Sequence, residues 1–329
     1  MIKIAALYIA VVVGAGFASG QEIYQFFVQF GVGGLFGLII ATFVLSLGGA
    51  SLIAYCAQNQ LSSYEGFLKR LGGSLFPYLD LVYSVFLIAG LSIMIAGSES
   101  LISTISLPQL GRIFTIVTVL LVLRGGAKAV LDASSVLVPI LLLLMVLVTV
   151  LPITQKEIIL PTKLDLRGIG AGLLYGSYNI GFGLAVFSGI GRELAVQKRS
   201  WLAGIIGGTV LGILVALQTI ALYSISPELR TTDLPILTLA RQQHQIIGAL
   251  YGIALWFAMY TTALGNGLAL ATRIKDQTTL SWRASVNVTC ILGLIFSFFG
   301  FVPLIRTAYP LFGFFGIYIL SKIWMERFS

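Results

Sequence analysis

The sequence predicts an all-α membrane protein: ten transmembrane helices in two inverted five-helix repeats, with the first and sixth helices broken. Three observations carry this expectation. Of 329 residues, 58% are hydrophobic and only 10% charged, and the mean hydropathy is +1.00, whereas soluble domains carry about 25% charged residues. The apolar residues fall into runs long enough to cross a bilayer at about 20 residues per helix. Two of those runs, the first and the sixth, are interrupted by glycines. Interrupted helices at corresponding positions of two inverted halves point to the central site of a transporter.

The runs are residues 4–30, 33–57, 75–100, 107–124, 129–152, 168–191, 200–224, 245–272, 284–302 and 304–325. Residues 1–155 then form one five-helix half and residues 156–329 the other, integrated into a single membrane domain. Five is odd, so the halves insert with opposite orientation. The first run continues at full length instead of ending at a signal-cleavage site. With the N-terminus in the cytoplasm, 13 of the 20 Lys and Arg residues, Lys3, Lys69, Arg70 and Arg273 among them, lie on the inner side. The other 7 lie outside, interleaved with Glu157, Asp165, Glu228 and Asp233. That bias places both termini in the cytoplasm of a bacterial inner membrane. It also accounts for the net charge of +8 without a nucleic-acid partner. Between the second and third runs, Ser62 and Glu65 fit a capping box, and Gly72-Gly73 can end the short interfacial helix it starts. Residues 226–244 suggest a second such helix outside. Cys56 and Cys290 lie in apolar runs and read as packing residues.

The first interruption reads "VVVGAGFASG", residues 11–20. In a soluble protein it would suggest a dinucleotide-binding loop, which needs an acidic residue about 20 positions later for the ribose. No Asp, Glu, Lys or Arg occurs between Ile23 and Tyr64, so the glycines need another reason. A gap in a membrane helix frees N–H and C=O groups in a medium that cannot solvate them, and survives only where it is buried in protein or lines a polar cavity. Glycine permits the dihedrals and lets a ligand reach the backbone. Freed amides suit a carboxylate and freed carbonyls a small cation. Gly176 to Gly183, "GSYNIGFG", is the second interruption. For either stretch the competing explanation is close packing of helices on small residues.

The stretch "GAGFASGQEIYQFF" resembles the signature of the YkvI-like bacterial membrane proteins, a family of the amino acid–polyamine–cation superfamily, and the resemblance extends over the whole chain. It implies the LeuT-type fold of five plus five inverted helices. Separately, "NIGFGLAVFSG" is similar to the unwound sixth helix of neurotransmitter:sodium symporters. The resemblance implies that Gly14, Ala15, Gly16 and Phe17 on the first helix and Tyr178, Asn179, Gly181 and Phe182 on the sixth line the substrate pocket. The first-helix amides would hold a carboxylate, Asn179 would meet a polar group, and Phe182 would close over the substrate side chain. It further implies a sodium site from the carbonyls of Ala10, Val13 and Ala258 and the hydroxyls of Thr261 and Thr262, oxygens that suit a hard cation. The alternative for those threonines is a bond back to their own helix. Phe17 stands where the symporters have a polar side chain, which argues against a second sodium site.

Ionisable residues within spans default to functional roles. Glu22 and Arg306 are expected to pair as an outer gate, or Glu22 to carry a coupling proton or meet a cationic substrate. Asp80 and Asp132 lie near the inner surface, with Lys128, Arg124 or Lys69 as default partners; Asp132, followed by Ser134 and Ser135, is also a proton or gating candidate. Glu99 is expected at the outer surface, and the single histidine, His244, in a polar outer loop. No enzyme pattern emerges: one histidine cannot form a His-Glu-x-x-His site, no Cys/His metal cluster exists, and no Walker-type loop is present. The expected function is alternating-access transport of a small amino acid or related organic solute, coupled to sodium or, second, to protons, with no other cofactor. Two alternatives are a nutrient-sensing receptor subunit of the same fold, as in spore germination, and a passive channel.

Overall fold

The computed structural model describes residues 1–104, 110–125, 127–155, 158 and 161–328, with side chains for all of these except 127–139 and 327–328. The first apolar run forms three short helices: α1 (Ile2–Val12), α2 (Ala15–Ser19) and α3 (Gln21–Phe26). The second run is α4 (Val32–Phe43) and α5 (Gly49–Gln58), joined through one wide turn at Val44–Gly48, where the Tyr8 hydroxyl donates to the Leu45 carbonyl at 2.8 Å. There follow α6 (Tyr64–Gly72), α7 (Phe76–Ser103), α8 (Leu110–Arg124), α9 (Ala127–Gln155) and α10 (Arg167–Gly189). The rest comprises α11 (Gly191–Val196), α12 (Leu202–Tyr223), α13 (Pro227–Arg230), α14 (Pro235–Gln243), α15 (Gln245–Gln277), α16 (Trp282–Ser297) and α17 (Phe301–Phe328). Among the described residues, six helical stretches are long and apolar enough to cross a membrane: Val32–Gln58, Tyr64–Ser103, Arg167–Gly189, Leu202–Tyr223, Gln245–Gln277 and Phe301–Glu326.

Polar contacts tie helix ends to one another. The Met1 amino group donates to Gln197, Tyr55 to Glu326 at 2.9 Å, Arg124 to Asn287 and Trp282 to the Leu123 carbonyl. Tyr223 donates to the Val28 carbonyl, Ser100 to Asp233, Arg241 to Thr104, and Val32 N–H to the Lys163 carbonyl.

Glycines set how closely the helices approach. A Cβ on Gly172 would run into the Gly37 carbonyl, one on Gly168 into Gly33, and one on Gly316 into the Ser177 carbonyl. Gly204 and Gly208 bring α12 equally close to the backbone of Gly49, Ala50 and Ser46. In lipid, association rests on such close packing more than on apolar burial. This corrects the expectation of a broken sixth helix. α10 runs without interruption through Gly176–Gly183, and the chain bends only at Ile190. Gly176 there packs on Val44, and Gly183 on Leu52 and Phe187.

Two smaller expectations also shift. The cap of α6 is Ser63, not Ser62: its hydroxyl accepts from Gly66 N–H at 3.1 Å, while Glu65 pairs with Lys69 at 2.6 Å. The outer segment forms two short helices, α13 and α14. Gly172→Val is expected to lower the unfolding midpoint in detergent, at a cost of about 1–3 kcal/mol for overpacking. Gly170→Val, where a Cβ meets nothing within 4 Å, should be neutral; equal midpoints for the two variants would contradict this packing account.

Candidate functional site

The break in the first segment lies where the sequence placed it. α1 ends at Val12; Val13 (φ −75°, ψ 78°) centres a tight turn closed by Gly14 N–H on the Val12 carbonyl at 2.8 Å. Gly14 is extended, α2 adds one helical turn, and Gly20 (φ +81°) reverses the chain in the left-handed region that favours glycine before α3 restarts the helix. Side chains satisfy much of the exposed backbone. Ser19 Oγ donates to the Gly16 carbonyl at 2.9 Å and accepts from Gln21 N–H at 3.2 Å, and the Tyr251 hydroxyl donates to the Ala18 carbonyl at 2.5 Å. The carbonyls of Ala10 and Val13 receive no backbone N–H among the described residues. Nor do the amides of Ala15, Gly16 and Phe17 reach a backbone acceptor, because Ala18 N–H to the Gly14 carbonyl is the first bond of α2.

Across the break stands α10. Tyr178 donates a short hydrogen bond to Glu22 Oε2, and the Glu22 carboxylate lies against Gly16, where a Cβ would collide with it. Glu22 is 3% exposed and Tyr178 fully buried. The Tyr178 ring stacks on Tyr309 with centroids 4.6 Å apart and touches Phe26, Tyr175 and Phe182. Phe182 packs on Phe86 at 4.5 Å. Gly181 is buried, yet an added Cβ would meet only the Phe86 ring, at 4.0 Å. Asn179 donates to the Tyr175 carbonyl at 2.9 Å. The Asn179 Oδ1, Ser177 Oγ, Tyr175 hydroxyl and Gln21 Oε1 atoms are buried with no hydrogen-bond partner, and unpaired buried polar atoms of this kind are rare in folded proteins. Ala15 to Ile23 are all buried, whereas Gly14, Phe182, Thr261 and Thr262 are part-exposed. The α3 end of the break is therefore buried, and Gly14, at its α1 end, is part-exposed.

The five oxygens of the expected cation site are brought partly together. Thr262 lies beside the break, its Oγ1 3.6 Å from where a Gly14 Cβ would be, on the same turn of α15 as Ala258 and Thr261. Thr261 departs from the expectation: its hydroxyl donates to the Ala258 carbonyl at 3.2 Å, the back-bond to its own helix that threonine makes readily.

The remaining charged candidates are distributed differently from the sequence reading. Arg306 lies on an exposed face of α17 and forms no ion pair with Glu22. The Gly20 turn directs Glu22 inward onto Tyr178, so the expected outer-gate pair is corrected. The Asp132 side chain lies outside the described residues. Asp80 pairs not with Lys69 or Arg124 but with Arg273 of α15, and it also accepts from Gln277 at 3.1 Å. Glu99 is part-buried and accepts from Arg112 N–H. His244 caps α15, its Nδ1 accepting from Ile246 N–H at 3.1 Å. No group of three or more His, Cys, Asp or Glu able to hold a metal occurs among the described residues. Sequence reasoning missed Tyr309, Phe86, Tyr251 and Gln21. A tyrosine beside the in-helix Pro310 was the one available signal.

No family profile matches the chain. It is 25% identical over 334 aligned residues to the membrane protein YkvI of Bacillus subtilis (strain 168), covering 99% of this chain and 95% of YkvI. It is 28% identical over 325 residues to YyaD of the same organism, covering 95% and 93%. The chain is a homologue of YkvI and YyaD. Among solved structures it is similar to MhsT in complex with L-phenylalanine, with a TM-score of 0.69 over 98% of this chain and 88% of that one at 15% identity. It is also similar to Mhp1, a nucleobase-cation-symport-1 family transporter in a closed conformation with bromovinylhydantoin bound, at 0.61 over 94% and 74%, again with 15% identity. Both are LeuT-fold transporters, and the likeness extends to the fold of this chain.

Tyr178→Phe removes the hydroxyl bonded to Glu22 and is expected to destabilise the protein by about 1–3 kcal/mol, the cost of a buried polar group left without its partner. Tyr309→Phe keeps the stacked ring and should cost less. Chemical or thermal unfolding of the two variants in one detergent checks the order; the reverse order would contradict the assignment.

Proposed function

We propose that this chain is a secondary active transporter of a small amino acid or related organic solute, working by alternating access and coupled to a cation. The observation that carries the reading is the buried break at Val13–Gly20, met from α10 by Tyr178 through Glu22 and from α15 by Thr262 beside Gly14. Backbone left open within a membrane domain persists only where protein or a polar cavity shelters it. The reading takes ten spanning segments in two inverted halves, residues 1–155 and 156–329, with both termini in the cytoplasm of a bacterial membrane. In that orientation the α1 end of the break faces inward.

In this reading the free amides of Ala15, Gly16 and Phe17 meet a substrate carboxylate. Gly181 leaves room for the solute, Phe182 and Phe86 bound it, and Asn179 Oδ1 accepts from it. MhsT, of the same fold, holds L-phenylalanine, which favours an amino acid over other solutes. The carbonyls of Ala10 and Val13, which take no backbone N–H among the described residues, and the hydroxyl of Thr262 would be the first ligands of a sodium ion. Ala258 and Thr261 complete the set once Thr261 rotates off the Ala258 carbonyl. A sensing role remains the second reading, because a receptor would bind the same ligand at the same break.

The test is the unfolding midpoint of the purified protein against a panel of amino acids, with and without sodium, in wild type and Thr262→Ala. A ligand at 100 times its Kd should stabilise the folded state by about 2.7 kcal/mol. The expected result is a shift that needs sodium and is lost in Thr262→Ala. A shift indifferent to sodium removes the sodium site, and no shift with any amino acid removes the substrate class.

A further inference from the structure

The geometry points to a proton, carried by the Glu22 carboxyl, as the switch that lets α3 close on α10 through Tyr178. This inference rests on the transport reading above and adds to it a second cation, at a place distinct from the Thr262 oxygens.

Glu22 is 3% exposed. A carboxylate accepts up to about four hydrogen bonds, yet among the described residues the side-chain hydrogen bond on Glu22 is that of Tyr178. The ion pairs Glu65–Lys69, Asp165–Lys163, Asp165–Arg167 and Asp80–Arg273 do not include Glu22. Around α3 pack α2, α10, α12 and α17. The titratable groups that face Glu22 from them are Tyr175 and Tyr178 of α10 and Tyr309 of α17. α2 contributes no titratable group, and α12 contributes only Tyr223, whose hydroxyl is bonded to Val28. Tyr24 is the other titratable group on α3. The cation on the outer half of α17, Arg306, is exposed. An ionised carboxylate with a single donor and no ion pair among the described residues is costly to bury. A neutral carboxyl in the same place is not.

The step follows. While the α3 flank is open, Glu22 is ionised and hydrated. A proton from outer water adds to the carboxylate; the neutral carboxyl can then leave water, accept from Tyr178 and let α3 seat against α10. When the α1 end of the break admits inner water to the carboxyl, the proton is released there and the closed arrangement loses its advantage. A cation in differential contact with the two states is what coupling requires. The same bond explains the glycine at position 16, since any side chain there would displace the carboxyl.

The test uses the full chain in lipid nanodiscs, in choline buffer, with no solute added. Infrared spectra are compared across a pH series. The expected result is a carboxylic-acid C=O band that persists in buffers where exposed carboxylates are ionised. It should be lost in Glu22→Gln, whose neutral amide can still accept from Tyr178, and shifted in Tyr178→Phe, which removes that donor. Absence of the band in wild type, or its survival in Glu22→Gln, would overturn the inference whether or not the variant is as stable as wild type. In proteoliposomes, an inward proton gradient should drive amino-acid uptake by wild type but not by Glu22→Gln. Uptake with the same gradient dependence in both would remove the proton role and leave the transport reading standing. A Glu22-dependent band without uptake of any amino acid would do the opposite.

Discussion

Peptide groups freed inside a bilayer have no water to bond with, and the arrangement of this protein answers that constraint at one place. The chain opens its first apolar segment between Val13 and Gly20 and then covers the opening. Ser19 serves the Gly16 carbonyl and the Gln21 amide from within. Tyr251 reaches across from α15 to the Ala18 carbonyl. Tyr178 reaches from α10 to Glu22, which lies on Gly16. Two long helices are thereby tied to the break by tyrosine hydroxyls, and the groups left over are the Ala10 and Val13 carbonyls and the first amides of α2. The opening is both the part of the backbone most in need of partners and the part best able to take a ligand.

The glycines divide into two classes that composition alone does not separate. Gly14 and Gly20 serve backbone conformation, extended at the first and left-handed at the second. Gly33, Gly37, Gly168, Gly172 and Gly316 serve proximity, bringing α4, α10 and α17 within backbone contact. Close packing holds the uninterrupted α10 against α4 and α17, and Tyr178 on it meets the broken first segment through Glu22. Asp80 and Arg273 perform a related task at the ends of α7 and α15, where a buried ion pair joins two helices away from the break.

Much of this was legible in the sequence. The apolar runs gave the helices because spanning length and charge distribution are one-dimensional signals. The first break was legible because "GAGFASG" combines several permissive residues with a run devoid of charge. The sixth segment misled, since "GSYNIGFG" is also glycine-rich but its Gly176 and Gly183 pack on neighbouring helices, and a sequence does not state which face a residue presents. Glu22 was legible as a functional residue, but not its partner: Tyr178 is 156 positions away. Arg306 seemed a better match by charge, and only the Gly20 turn shows why it is not. Thr261 and Thr262 are indistinguishable by spacing, and the rotamer that bonds Thr261 to Ala258 is a matter of local geometry.

The account's central claim is that the break is a transport site visited from both faces. Solute counterflow tests it most directly. Proteoliposomes are loaded with an unlabelled amino-acid mixture and given a trace of the same mixture, labelled, outside. Alternating access requires a transient accumulation of label inside above its equilibrium level, abolished when Gly16→Leu fills the break. Simple equilibration without overshoot would indicate a channel, and no entry of label from any amino acid, in protein shown to be folded, would contradict the claim.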